Sequence, residues 1–210
     1  VQLERDPSVL WDQFKSKHRT NIRRAYKNDL HVTSGSGPEL LDSFYKLLEC
    51  SWREHGTPLY GRSFFERIVT TFPDATRIHV ATRRGSVVAV AFNGEERGTV
   101  EGMWAGSSER YRGLQPNYVL YWEMIRDACL RGFDRFHLGR STVGSEAEAF
   151  KRKWNAVPQQ LYWYYYLPGG GELPALNADN PRFGLAIAAW RRLPLVVTRR
   201  LGPSLARSIP

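Results

Sequence analysis

The spacing of apolar residues divides the chain into elements. Trp11, Phe14, His18, Ile22 and Ala25 recur every three or four positions, which predicts one amphipathic helix over residues 8–28. Residues 31–33 read as a short strand and 34–37 as a Ser/Gly loop. Pro38 starts a second helix with the buried stripe Leu41, Phe44, Leu48 and Trp52, ending near Gly56. A proline is tolerated there because a first turn leaves its N–H groups unpaired anyway. Phe65, Ile68, Val69 and Phe72 predict a third helix over 63–72, which Pro73 ends. The period then changes to two. Residues 78–82 and 99–105 alternate, while 87–92 are continuously apolar, as in a strand buried on both faces. The intervening 83–86 and 93–98 are turn sequences, so the three strands are expected to form an antiparallel meander.

Farther on, Tyr118, Trp122, Ile125 and Cys129 share one face of a helix over 117–131, with Gly132 just past its end. A strand over 135–139, a short basic helix over 145–155 and an aromatic strand over 161–167 come next. The glycines at 169–171 and Pro174 break the composition. A helix is expected from about 182 to 192, and Pro194 and Pro203 interrupt the chain beyond it. The expected organisation is a domain over 1–167 and a Gly/Pro-containing linker with a basic amphipathic tail over 168–210. A mostly antiparallel sheet that later receives a helix-crossed strand is an α+β arrangement, with a mixed central sheet flanked by helices.

Composition narrows the classes. Of 210 residues 42% are hydrophobic and 24% charged, which supports a packed core and excludes a disordered chain. No apolar run approaches the ~20 residues of a membrane span. Cys50 and Cys129 both fall in helical patterns and the histidines are scattered, which predicts reduced core thiols, a cytoplasmic protein and no metal site. The net charge of +9 is clustered. One cluster is Lys15, Lys17, Arg19, Arg23, Arg24 and Lys27; the other is a tail with six arginines and no acid after Asp179. Such clusters favour an anionic partner: nucleic acid, an acidic membrane surface or a phosphorylated ligand. In the tail, Trp190 and its leucines interleave with arginines, as in a segment lying on a membrane interface.

The most informative stretch is Phe136-His-Leu-Gly-Arg-Ser-Thr142, followed by Phe150-Lys-Arg-Lys-Trp154. A strand ending in Gly139, Arg140 and Ser141, next to a helix with Lys151 and Lys153, is a candidate site for an anion or a carboxyl substrate. Ser141 has no Ser-His-Asp companion pattern, which excludes a hydrolase triad.

The element order resembles a GNAT-type acyltransferase domain. Leu10-Trp-Asp-Gln-Phe14, His18-Arg-Thr-Asn-Ile-Arg-Arg-Ala25, Gly56-Thr-Pro58, Gly113-Leu-Gln-Pro-Asn-Tyr118, Phe136-His-Leu-Gly-Arg140 and Phe150-Lys-Arg-Lys-Trp154 narrow the likeness to FemAB-like proteins, nearest the branch associated with exosortase and exopolysaccharide systems. The resemblance covers about residues 8–167. It implies an enzyme that moves an acyl or aminoacyl group onto an amine or hydroxyl of a cell-envelope, peptidoglycan or exopolysaccharide precursor. The alternative is a non-catalytic RNA-binding or scaffold half. The chain begins with Val1, which fits the C-terminal half of a protein with an upstream GNAT-like half.

The donor would be acyl-CoA or aminoacyl-tRNA, with no permanently bound cofactor. Arg110, Arg112, Gly113 and Gln115 stand where the family binds the donor's pyrophosphate before a helix that starts at Pro116-Asn117. Gln115 departs from the small residue the family has there. For catalysis the resemblance implies Glu101 as base, unless it pairs with an arginine, Arg140 and Lys153 for charge stabilisation, and Tyr121 or Tyr118 for the leaving group. His55, Tyr60, Asn117, Tyr118, Ser141 and Lys151 would line the substrate side. The protein would act in the cytoplasm, at the inner face of the membrane if the tail binds lipid.

Overall fold

The computed structural model describes residues 1–169 and 183–207. The first expected helix is two. α1, Pro7–Gln13, is capped by Asp6, which accepts from the Ser8 N–H at 2.8 Å. α2 is Ser16–Tyr26, and Phe14 and Lys15 between them are extended. The break serves packing: it sets Phe14 edge-on to both Trp122 and Trp154, each at 5.7 Å, while Trp11 tilts onto Trp122. Arg19 closes the gap by donating to the carbonyl of Asp12 at 2.9 Å.

The sheet has five strands in the order β1-β2-β3-β4-β5: His31–Gly35, Thr76–Arg83, Ser86–Glu96, Thr99–Ser107 and Arg135–His137. The first three pairings are antiparallel and the last is parallel. The expected meander is present, but β3 continues through residues 93–96, which read as turn. Their ladder with β4 closes at Glu96↔Thr99, so the turn is only Arg97 and Gly98, both with positive φ. An Arg-Gly pair carries no strong hairpin signal, and the true turn was hidden in the longer polar run.

Two helices, α3 (Pro38–His55) and α4 (Arg62–Thr71), precede β2, and α5 (Pro116–Leu130) crosses from β4 to β5. Phe44, Phe65, Phe92 and Trp104 interlock on the α3–α4 face. Ile22, Ala89, Ala91, Val119, Ile125 and Phe136 belong to the core on the α5 face. β3 thus faces core on both sides, as its apolar run required. At the far end of that face Glu95 pairs with Arg131, and Arg77 with Asp127, across the sheet and α5. α6, Glu146–Arg152, starts from a Ser145 cap that accepts from the Glu148 N–H.

Residues 161–167 do not form the expected strand: they are irregular, and Tyr164 is 93% exposed. Aromatic β-propensity makes a strand only where a neighbouring edge offers ladder bonds, and β5 is three residues long.

The chain divides into two compact units, Val1–Ser51 with Arg62–Val157, and Trp52–Gly61 with Pro158–Pro210. In the second, α7 (Gly184–Arg192) and α8 (Leu195–Ala206) pack on the Trp52–Gly61 segment. A Cβ at Gly56 would lie 2.5 Å from Ile187 Cγ2, and one at Gly202 would lie 2.9 Å from the Leu59 carbonyl oxygen, so both contacts need glycine. α8 runs through Pro203, which was expected to interrupt it; the close seat of Gly202 on Leu59 accompanies the lost N–H bond.

Candidate active site

The site arises where the one parallel pairing stops. β4 and β5 share only Thr99↔Arg135, Val100↔Phe136 and Glu101↔His137. Just beyond, the β3–β4 register jumps from Asn93↔Gly102 to Phe92↔Trp104, so Met103 is an extra residue in β4. Such a bulge bends its strand. Gly139, with φ +73°, lets the two chains touch once more: a Cβ there would lie 2.9 Å from the Gly102 carbonyl oxygen. Past this contact the chains enclose a cavity of about 180 Å³ lined by β3, β4, α5, residues 136–140 and Lys151.

Its walls are apolar at Ala91, Met124, Phe136 and Leu138, with Tyr121, Arg140, Lys151 and Asn93 as the groups that carry chemistry. Lys151 Nζ donates to the carbonyls of Gly139 at 3.0 Å and Arg140 at 2.7 Å. Two of its three N–H bonds are thereby fixed, and burial lowers its pKa. Tyr121 stacks on Trp154 at 5.9 Å and stands edge-on to Phe150, and burial raises its pKa, so its hydroxyl stays protonated.

Residues 14–152 match the acetyltransferase (GNAT) domain family. The chain belongs to that family. The five-stranded mixed sheet with its flanking helices is the GNAT fold, and the family is one of transferases. A UDP-N-acetylmuramoylpentapeptide-lysine N(6)-alanyltransferase from Weissella viridescens is 28% identical over 145 residues, 69% of this chain and 42% of its own length. The chain therefore spans less than half of that curated relative. Among solved structures, FemX superposes with a TM-score of 0.62 at 15% identity, covering 71% of this chain and 56% of that one. An aminoglycoside acetyltransferase from an uncultured soil metagenomic sample gives 0.54 at 13% identity, covering 68% and 99%.

In this GNAT domain the residues singled out from the sequence do not all converge on the cavity. Tyr121, Arg140 and Lys151 meet at the cavity, and Ser141 comes directly after Arg140 with its hydroxyl buried and without a hydrogen bond among the described residues. Glu101 is one residue before the gap on β4, but in register with Gly94, hence on the sheet face opposite Asn93. Its side chain is 58% exposed and lies 3.4 Å from His137 Nδ1, so its partner is a histidine rather than an arginine. Lys153 is not in the cavity. Its ammonium is 3.4 Å from the Tyr118 hydroxyl, which also accepts from Asn21, and it lies over the Tyr118 and Phe150 rings. Another group stands in the loop before α5, where Arg110, Arg112 and Gly113 are exposed in a 3-10 turn over Glu109–Leu114 and Asn117 is exposed in the first turn of α5. Gln115 adopts the left-handed conformation, φ 57° and ψ 47°, where a smaller residue is at ease, and α5 starts on it without a side-chain cap. His55 and Tyr60 belong to the second unit, where the His55 carbonyl accepts from Arg191 at 3.4 Å.

Sequence reasoning missed Asn93 and the bulge at Met103. A signal for Asn93 existed: the residues sharing its strand face are Ala89 and Ala91, so a polar residue ends a row of small ones. Among the described residues, no three His, Cys, Asp or Glu side chains group to hold a metal, and no helix is long and apolar enough to cross a membrane.

Proposed function

We propose that this domain transfers an acyl or aminoacyl group to an amine of a cell-envelope precursor, with the reacting carbonyl in the gap between β4 and β5. The observation that carries the reading is the convergence of Lys151, Arg140 and Tyr121 on the gap at the ends of the two parallel strands. The acceptor amine loses a proton, attacks the carbonyl carbon and forms a tetrahedral oxyanion; the bond to the donor then breaks and the leaving oxygen or sulfur gains a proton. The remaining Lys151 N–H and the Arg140 guanidinium supply positive charge for the oxyanion. Tyr121, whose pKa is raised, gives its proton readily to a leaving alkoxide; a leaving thiolate receives only a hydrogen bond from it and takes the proton that the attacking nitrogen sheds as the amide forms. Glu101, exposed next to the gap, takes the ammonium proton through water.

The donor is an acyl thioester held at the loop of Arg110, Arg112, Gly113 and Gln115, where the uncapped start of α5 suits a phosphate. An aminoacylated tRNA is the second reading, favoured by the exposed cations of α2 at Lys17, Arg23 and Arg24. Peptidoglycan stem peptides supply the amine in the first instance; an exopolysaccharide hydroxyl of the exosortase-associated type is the rival acceptor. The arginine-bearing α7 and α8 hold the enzyme at an acidic inner membrane surface. The deciding experiment incubates the protein with acetyl-coenzyme A and a lysine-containing stem peptide and monitors product by mass spectrometry. Wild type forms the acylated peptide, and the Arg140→Ala, Lys151→Ala double variant falls by at least a hundredfold, an order typical for lost oxyanion donors. Undiminished product in the double variant removes the site assignment.

A further inference from the structure

We infer that Asn93 is the residue that reads a secondary amide on whichever substrate arm enters the gap between β4 and β5. The inference rests on the reading of that gap as the transfer site. Asn93 is 1% exposed, lines the cavity, and its Oδ1 has no hydrogen-bond partner among the described residues. A buried polar atom without a partner costs on the order of 1–3 kcal/mol, so an apolar residue of similar size would hold the fold better.

The neighbours explain why the carboxamide is open. Arg77, directly across the β2–β3 ladder, is committed elsewhere: it donates to Ser34 Oγ at 2.9 Å and Asp127 Oδ1 at 2.7 Å. Glu95, the next residue on the same face, is held by Arg131. The opposite partner on β4 is Gly102, which has no side chain to offer, and Ala91 beside it is small. The Asn93 carboxamide therefore faces the cavity rather than the protein.

The chemistry that completes it is complementary. A carboxamide offers an acceptor oxygen and an N–H donor, and a secondary amide offers the same pair in reverse. A cavity of about 180 Å³ has room for a slender chain. An amide on such a chain, where it passes Met124, Phe136 and Leu138, meets apolar wall, and the Asn93 carboxamide supplies a polar partner. Two sources carry this group: the amide-bearing arm of a coenzyme A thioester and the peptide bonds of a stem-peptide acceptor.

Calorimetric titration with acetyl-coenzyme A and, separately, with an N-acetylated lysine-containing stem peptide tests the assignment. Wild type is compared with Asn93→Leu and Asn93→Ala, and thermal melting is recorded for all three. The expected result is about tenfold weaker binding of one probe in both variants, with Tm equal or higher in at least one of them. Loss confined to acetyl-coenzyme A names the donor arm, and loss confined to the peptide names the acceptor. Wild-type affinity retained by both variants overturns the Asn93 assignment and leaves the transfer site standing. A Tm lowered by more than about 5 °C in both variants shows a structural role and also overturns it. Failure of wild type to bind either probe overturns the gap reading and Asn93 together.

Discussion

Single residues decide whether the gap exists. Gly139 combines a φ of +73° with a carbonyl oxygen 2.9 Å from where a Cβ would sit, and that oxygen belongs to Gly102 on the facing strand. Neither the conformation nor the contact admits alanine without movement. Gly139→Ala is expected to destabilise the domain by roughly 1–3 kcal/mol and to push the strand ends apart. The measurement is urea unfolding paired with acetyl-coenzyme A titration. A variant of wild-type stability and affinity would show that the strand contact is dispensable. Gly113 makes the contrast: it has open space around it and no positive φ, so nothing in the protein itself requires a glycine there. At this scale the sequence was partly legible. Gly139, Arg140 and Lys151 stood out because glycine and cations cluster after an apolar strand. Lys153 stood out for the same reason, yet two positions along α6 turn a side chain by about 200°, and it points to Tyr118 instead. Sequence proximity on a helix did not tell which lysine faces the gap.

Elements were more legible than their ends. Helices with a long apolar stripe, α3 and α5, were found within a residue or two, and so were the outer two meander strands, whereas β3 runs four residues beyond its expected end. Two of the misses share one cause: partners outside the segment. The aromatic run at 161–167 has strand composition without a strand, and α1 and α2 break although their stripe is continuous, because Phe14 is pulled between two tryptophans. α7 and α8 carry a prediction of their own. Leu185, Val196, Leu201 and Leu205 are exposed, Leu185 by 87%, and arginines stand beside them with no acid after Asp179. An interfacial segment needs both features. Replacing Arg192, Arg200 and Arg207 by glutamate is expected to lower binding to phosphatidylserine-containing vesicles by on the order of a hundredfold, since each basic residue contributes about 1 kcal/mol at such a surface. Sedimentation at low and high salt measures it, and undiminished binding would leave α7 and α8 without a membrane role.

The stability of the whole domain should depend on pH through two histidines the reaction does not use. His18 packs among Phe14, Tyr118 and Trp154, and both ring nitrogens are buried without a hydrogen bond among the described residues. Burial lowers its pKa to about 4, helped by the Lys153 ammonium. His79 lies between the sheet and α5 and is likewise lowered to about 4, by burial first, with the Asp127 carboxylate opposing and Arg77 and Arg131 adding to the shift. Both histidines are neutral in the folded protein down to that pH, whereas the unfolded chain protonates near 6.5. Between about 4 and 6.5 the unfolded state binds more protons, so stability rises with pH across this window and is lost as pH falls through it. The loss amounts to a few kcal/mol for the pair, on the order of half or more of a typical domain's stability. Carboxylates held low by their partners, such as Glu148 with the Gly144 N–H and Arg152, begin to lose their contribution only as pH falls through the ordinary carboxylate value of 4.5, so the slope between about 5 and 6.5 belongs to the histidines. Denaturant unfolding at half-unit steps from pH 4 to 7.5 reads the slope. His18→Phe keeps an aromatic ring in the cluster, removes one titrating group and is expected to flatten the curve by about half. A slope identical to wild type would mean that His18 is reached by water and protonates in the folded state as readily as in the unfolded one.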